Sequence, residues 1–195
     1  MNELMGLLAF AFVSSVTPGP NNVLLWASGA AFGFRRTVRH IVGTALGIGA
    51  MALAVAAGLG ALVTAIPEIG FVMKVAGSAY LLYLAYQIGR SHGLERGNMA
   101  RPLGLLPAAT FQLINPKAWI FALGAITTFR PADLPIVLGS VLVALAMMVV
   151  IVLTAALWAA GGDVLGRLIS GGRASRVVSL ALAALLVATV AYVWS

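Results

Sequence analysis

The sequence predicts an all-α integral membrane protein with six transmembrane helices, built as two inverted three-helix repeats whose first and fourth helices are broken. Composition supports the membrane class: 62% of the 195 residues are hydrophobic and 9% are charged, and the mean hydropathy is +1.05. A soluble domain carries roughly 25% charged residues. The apolar residues are spread along the whole chain, so the bilayer is expected to be their solvent.

Six apolar stretches approach or exceed the length of about 20 residues that a spanning helix needs. They are predicted at residues 4–27, 41–66, 69–89, 103–128, 134–160 and 177–194. The chain is therefore expected to form one transmembrane domain, residues 1–195, with pseudo-repeats at about 1–98 and 99–195. Since each half holds three spans, the two halves must enter the bilayer from opposite sides.

Basic residues concentrate in the connections that follow the first, third and fifth spans. These are Arg35, Arg36 and Arg39, then Arg90, Arg96 and Arg101, then Arg167, Arg173 and Arg176. Lys and Arg are retained on the cytoplasmic side, so both termini are predicted to be periplasmic or extracellular, in a bacterial-type inner membrane. The same distribution accounts for the net charge of +7 without nucleic acid. Because Glu3 and no basic residue stands at the start, the first span is expected to remain in the mature protein.

The first span contains a motif that a continuous helix cannot accommodate. Pro18 and Pro20 have no N–H, which frees the carbonyls of Ser14 and Val16. Irregular backbone at membrane depth is tolerated only when it is buried in protein or lines a cavity. One proline would suffice for a packing kink, the plainer interpretation. The residues predicted to line a substrate site are Thr17, Pro18, Gly19, Pro20, Asn21 and Asn22.

The fourth span contains a second motif of this kind, Asn115, Pro116 and Lys117. Pro116 frees the carbonyl of Gln112, and the helix that restarts after it presents unpaired N–H groups at its positive end. With the Lys117 ammonium beside them, a carboxylate is the natural ligand. A lysine at the bilayer centre costs about 3 kcal/mol. Snorkelling to the surface is the alternative for Lys117.

The sequence gives less information about the positions and roles of four other side chains. Lys74 either snorkels to the outer interface or joins the site, and the sequence leaves both open. Glu68 is expected in a solvated loop beside a turn. His40 is expected at the membrane interface next to the arginines, and not in a proton relay. Trp119, away from the span ends, could help to wall the site.

Small residues in the second span predict close helix packing, at an interface between the halves if those move. Gly43 and Gly47 form a ridge at helical spacing, continued by Ala54 and Gly58. No acidic residue lies inside a predicted span, and the chain has no cysteine. We therefore predict no metal site and no cofactor, and an enzyme is excluded because no embedded histidine or carboxylate could activate a nucleophile.

The two broken motifs resemble the TPGPN-type and NPK-type motifs of the LysE/RhtB family of amino-acid exporters. Residues 74–81 also look like that family's K-x-x-G-x-x-Y-L pattern, with Lys74, Gly77, Tyr80 and Leu81 in place. The three matches occur in the family's order and cover essentially the whole chain. Where some members carry a charged or polar residue in the second span, residues 49–52 here are Gly, Ala, Met and Ala.

The resemblance implies a secondary transporter that exports amino acids or related small metabolites, coupled to protons as an antiporter. A zwitterion needs no protein carboxylate, which favours neutral amino acids: Lys117 would take the carboxylate, and the carbonyls near Ser14 and Val16, with Asn21 and Asn22, the ammonium. The alternatives are a divalent-metal or other cation exporter of related architecture and a membrane subunit without transport. The oligomeric state is left open, a homo-oligomer included.

Overall fold

The computed structural model describes residues 2–90, 102–169 and 172–194. Within these ranges every regular element is a helix. In chain order the elements are α1 (Asn2–Val16), α2 (Pro20–Phe32), α3 (Phe34–Ala54), a π turn (Val55–Leu59), α4 (Gly60–Ala65), α5 (Pro67–Arg90), α6 (Leu105–Phe111), a 3-10 turn (Gln112–Ile114), α7 (Pro116–Phe129), α8 (Ile136–Leu168) and α9 (Gly172–Trp194). The all-helical prediction is confirmed. Arg96, Arg101 and the predicted repeat boundary lie outside the described residues.

Four of the described helical segments are long and apolar enough to cross a membrane: Phe34–Leu59, Gly70–Arg90, Ile136–Leu168 and Arg173–Ala191. Two shorter apolar segments, Glu3–Val16 and Leu105–Ile114, lie in the predicted first and fourth spans, before the breaks. The protein is thus a multi-pass membrane protein, whereas the count of six spans and the inverted orientation of the halves stay predictions.

The first and fourth spans are interrupted where the prolines predict. Helix α1 ends at Val16 and α2 begins at Pro20, with Gly19 in an extended conformation between them. In the second half, α6 passes into the 3-10 turn, Asn115 is extended, and α7 begins at Pro116. Each proline that starts a helix occupies the first turn, where no N–H is required.

The connection between the first two spans is shorter than predicted. Only Gly33 separates α2 from α3, and its φ of 82° is a conformation that favours glycine. The expectation that Arg35 and its neighbours occupy a loop was therefore wrong, since they lie in the first turns of α3. Glu68 likewise lies in the first turn of α5 and not in a loop, because Pro67 starts a helix there.

The second span does not run as one regular helix to residue 66. It passes into the π turn, where Gly58 has a φ of 101° and is exposed. A Cβ at Gly58 would meet nothing within 4 Å. The predicted continuation of the small-residue ridge to Gly58 was therefore wrong, since the π turn rotates the helix face away from its partner.

Glycines set the helix crossings that enclose the centre of the molecule. A Cβ at Gly43 or Gly47 would collide with the backbone of α6, at Leu105 and Ala109. The ridge therefore packs the second span against the second half of the chain, as predicted. Helix α8 crosses α2 in the same way, through Gly162 against the Trp26 carbonyl. Long helices from the first and second halves of the chain also pack on one another, α3 on α8 and α5 on α9.

Helix α8 extends eight residues beyond the predicted end of the fifth span. Asp163 therefore lies within this apolar helix and is buried. Its carboxylate accepts hydrogen bonds from the Arg167 guanidinium one turn later, at 2.6 and 3.1 Å. The helix thus continues beyond the predicted span into a turn that carries a buried acid, whose charge an i,i+4 cation compensates.

Candidate functional site

The two helix breaks meet at a small cavity in the centre of the molecule. About 40 Å³ of it is open to the centres of water molecules, several times the ~10–15 Å³ that one water requires. Its lining comes from α1, α2, α3, α7, α8 and both breaks: Ser14, Ser15, Gly19, Pro20, Asn21, Asn22, Thr44, Ile48, Gln112, Asn115, Lys117, Ala118, Phe121 and Ile151. In this conformation the cavity has room for a few waters.

Six of the nine predicted site residues line this cavity: Gly19, Pro20, Asn21, Asn22, Asn115 and Lys117. The other three, Thr17, Pro18 and Pro116, are not in its lining. The side chains of Thr17 and Pro18 are exposed, and these residues contribute their carbonyls instead. Pro116 opens α7 and so positions Lys117.

Lys117 connects the two breaks directly. Its Nζ donates a hydrogen bond of 2.5 Å to the Thr17 carbonyl and lies 3.4 Å from the Pro18 carbonyl. Gly19 makes this approach possible, since a Cβ there would lie only 2.9 Å from the Lys117 Cδ. The Lys117 ammonium is therefore bound by backbone acceptors at the end of α1.

Asn22 caps the first break from the other side. Its Nδ2 donates to the Ser15 carbonyl at 2.8 Å and to the Thr17 carbonyl at 2.9 Å. The acceptors used by Asn22 and Lys117 are thus those of Ser15, Thr17 and Pro18, and not the predicted Ser14 and Val16. The reason is that α1 ends at Val16 instead of kinking through the prolines, so its last carbonyls behave as a helix C-terminus.

A buried amide network joins the breaks to α3. The Asn21 Oδ1 accepts hydrogen bonds from Gln112 Nε2 at 3.1 Å, Thr44 Oγ1 at 3.2 Å and His40 Nε2 at 3.3 Å. Gln112 in turn accepts from Asn115 Nδ2 at 3.2 Å. Asn21 and Asn115, one from each break, are thereby held in fixed orientations.

From the sequence, His40 was not connected with the predicted site, whereas the structure bonds it to Asn21. His40 is fully buried, because α3 already begins at Phe34 and places His40 nearly two turns inside the helix. A signal for it exists in the sequence: Thr37, His40 and Thr44 are spaced i, i+3, i+7, which puts three polar residues on one helix face. All three are at most 1% exposed.

Lys74 and Trp119 lie outside the cavity. Lys74 is exposed, and its Nζ lies 5.9 Å from the centre of the Trp194 ring. Trp119 does not wall the cavity but donates its Nε1 to the Leu113 carbonyl at 2.9 Å. It thereby satisfies a backbone acceptor at the second break.

Two buried acceptors near the cavity have no hydrogen-bond partner among the described residues, Asn115 Oδ1 and His40 Nδ1. Lys117 is the one charged side chain in the lining. Within the described part of the chain, no three His, Cys, Asp or Glu residues are grouped as a metal site would need. The arrangement suits a ligand that brings its own carboxylate and its own hydrogen-bond donor.

The model of the LysE type translocator family matches residues 12–193. Among curated relatives, the cysteine/O-acetylserine efflux proteins of Escherichia coli and Salmonella typhimurium are 30% and 29% identical over 126 residues, which is 65% of this chain and 65% of each relative. The match thus spans about two thirds of these relatives' length. No solved structure matches the chain significantly. Because the family model matches both breaks and nearly the whole chain, this protein is a member of the LysE type translocator family.

Proposed function

We propose that the protein exports small neutral amino acids from the cytoplasm in exchange for protons. The observation that carries the proposal is the Lys117 ammonium bound to the Thr17 and Pro18 carbonyls, beside a cavity lined by both breaks. An ammonium from one half of the chain is therefore already bound by the backbone of the other half.

A zwitterionic substrate can replace this internal contact. Its ammonium is chemically the same group as the Lys117 head and suits the same carbonyls, with Asn115 Oδ1 as a further acceptor. Its carboxylate offers Lys117 an ionic partner, and hydrogen bonds between two ions are roughly twice as strong as neutral ones. On binding, the substrate would thus replace the contact between Lys117 and the carbonyls with two contacts of its own. Its ammonium would bind the carbonyls, and its carboxylate would bind Lys117.

The charges and the lining favour neutral amino acids with small polar side chains. The lining carries one cation and no carboxylate among the described residues, so a second cation on a basic amino acid would have no partner, which is costly at membrane depth. The hydroxyl groups of Ser14, Ser15 and Thr44 can accept a hydrogen bond from a polar side chain instead. The names of the curated relatives, cysteine and O-acetylserine efflux proteins, support this class of substrate.

Alternating access is proposed to follow from two inverted three-helix repeats, about residues 1–98 and 99–195, in one transmembrane domain. Exchange of the two halves' conformations would then expose the site to each side in turn. The Gly43 and Gly47 contact with α6 supports this arrangement, since it forms a close interface between the halves. The basic connections are proposed to face the cytoplasm and both termini the periplasm.

The two alternatives have no support in the cavity. A cation exporter would need carboxylate, thiolate or imidazole ligands in the lining, and the described residues provide no such group there. A subunit without transport would not explain a half-buried lysine that joins two breaks. Protection of growing cells against toxic amino-acid analogues, and not against toxic metal salts, would separate these functions.

The proposal is tested with inside-out membrane vesicles, in which export appears as uptake. Radiolabelled cysteine, O-acetylserine, serine and alanine are compared with lysine and glutamate, with and without an imposed pH gradient. We expect neutral amino acids to accumulate when the lumen is acidic, and lysine and glutamate to stay at the level of empty vesicles. Uptake of lysine above that of serine would contradict the charge argument, and uptake of none of them would contradict the function.

A further inference from the structure

His40 connects the linings of the central cavity and of a second cavity. This second cavity measures about 270 Å³ and lies where α2 and α5 end and α6 begins. It is lined by Leu24, Ala27, Ser28, Phe32, His40, Leu84, Gln87, Ile88, Pro102 and Leu103. His40 belongs to this lining, while its partner Asn21 belongs to the lining of the central cavity. His40 therefore contacts one space and is hydrogen-bonded to a residue that lines the other.

The hydrogen bonds around His40 determine which of its nitrogens carries the hydrogen. Gln112 Nε2 lies 3.0 Å from the Ala108 carbonyl, which can only accept, so this atom is the amide nitrogen. The Asn21 atom that Gln112 Nε2 contacts must then be an oxygen. Since that oxygen can only accept, His40 Nε2 must donate to it. The neutral ring consequently has a bare lone pair on Nδ1.

Nothing in the described part of the chain donates to Nδ1, although the ring is fully buried. A buried acceptor without a partner is costly, so a fold that only needed a polar spacer would place another residue here. The combination of a basic nitrogen without a partner and an adjoining cavity large enough for water is what a proton-binding residue requires.

We propose that His40 is the residue that binds the exchanged proton, which reaches and leaves Nδ1 through the second cavity. This inference rests on the proposed proton exchange and names the group that performs it. The proton adds to the Nδ1 lone pair and converts the neutral ring, protonated at Nε2, to imidazolium. Release returns the same proton from Nδ1 to water, so no other group is consumed.

Asn21 connects this proton to the substrate. On protonation the His40 Nε2–H becomes a charged donor, which strengthens its hydrogen bond to Asn21 Oδ1. The added positive charge also disfavours a substrate ammonium nearby, because charges interact more strongly in a low dielectric than in water. Proton and substrate therefore weaken each other's binding, which is the condition for exchange.

Among the described residues, no other titratable side chain lines the second cavity, and helices α2 and α6 carry none. The charged groups on the other elements are not free to replace His40 at this position. Arg35, Arg36 and Arg39 on α3 and Arg173 on α9 are exposed, and Arg176 on α9 is partly buried. Arg90 is bound to Tyr86 on α5, Lys117 is bound at the first break, and Asp163 is bound to Arg167 on α8.

The first test observes the imidazole itself. The chain has two histidines, so His92→Gln leaves His40 as the only histidine signal in nitrogen NMR of the lipid-reconstituted protein. We expect the neutral ring to be protonated at Nε2, and to become imidazolium on acidification. Addition of free serine or cysteine as substrate should lower the proton affinity of His40 at least severalfold. The proposal would be overturned by a neutral ring that is protonated at Nδ1. It would also be overturned if the pH at which His40 titrates did not change on addition of substrate.

The second test measures coupling in inside-out vesicles. Exchange of one proton for a neutral substrate transfers one charge, so with the membrane potential held at zero it predicts about tenfold accumulation per unit of pH gradient. His92→Gln should keep this ratio, whereas His40→Gln should reduce it to about one and flatten the pH profile of exchange. If the unmodified protein transports no amino acid, the proposed function fails. If it accumulates substrate and His40→Gln does so equally, only the assignment of His40 fails. Should His40→Gln not insert, the NMR titration decides alone.

Discussion

The two helix breaks are similar in sequence position and opposite in chemistry. The first break, between α1 and α2, offers backbone carbonyls that Asn22 and Lys117 approach from outside. The second break satisfies its own backbone: the Gln112 carbonyl accepts from the Asn115 N–H, and Trp119 covers the Leu113 carbonyl. It contributes donors instead, above all the Lys117 ammonium. One break therefore serves mainly as acceptor and the other mainly as donor, which would give the proposed zwitterionic substrate a partner at each break.

The largest expected effect comes from removing the charged donor. Lys117→Met should reduce transport by about 100-fold or more, since hydrogen bonds to charged groups contribute about 1.5–3 kcal/mol each and both substrate recognition and the contact between breaks are lost. Uptake by inside-out vesicles measures the effect. Lys74→Met is the matched control, because Lys74 is exposed and outside the cavity. Equal uptake by both variants would remove Lys117 from the site.

A smaller loss of transport is expected from filling the space at Gly19 through which the Lys117 side chain reaches the first break. In Gly19→Ala the new Cβ would lie 2.9 Å from Lys117 Cδ and 3.2 Å from its Nζ. The flexible lysine can move, so the protein should still fold, but its ammonium leaves the Thr17 carbonyl. Transport should fall about tenfold, as expected for loss of one charged hydrogen bond. Gly161→Ala is the control, since its Cβ meets nothing within 4 Å. An unchanged rate in Gly19→Ala would show that the contact between the breaks is dispensable.

The smallest effect on transport should come from removing the hydrogen bond that Trp119 donates to the Leu113 carbonyl at the second break. Trp119→Phe removes one neutral hydrogen bond, worth about 0.5–1.5 kcal/mol, and leaves the Leu113 carbonyl without its donor. We expect a lower unfolding temperature in detergent and nearly unchanged transport. Trp194→Phe makes a comparable loss at Ser78, far along the chain from the breaks. A large loss of transport in Trp119→Phe alone would mean that the second break also changes its backbone pairing during transport.

Much of the site could be predicted because proline chemistry is local. Pro18, Pro20 and Pro116 each remove a donor at a known position, so both breaks lie where the sequence places them. His40 could not be placed correctly, because its burial depends on where α3 begins. Asp163 was missed for a similar reason, since the apolar pattern does not show how far α8 continues.

The sequence alone determined the membrane class, the two breaks and the lysine beside the second one, since each follows from composition or from the covalent structure of proline. The tertiary structure decided which groups meet. It brings the Lys117 ammonium to carbonyls about one hundred positions earlier in the chain, and it places His40 in the lining of one cavity, bonded to a residue that lines another. These contacts depend on how the helices cross, and the crossings are fixed by close backbone contacts at glycines such as Gly43 and Gly47. Hydrophobic patterning specifies a helix and its buried face, but not which side chains lie across the contact.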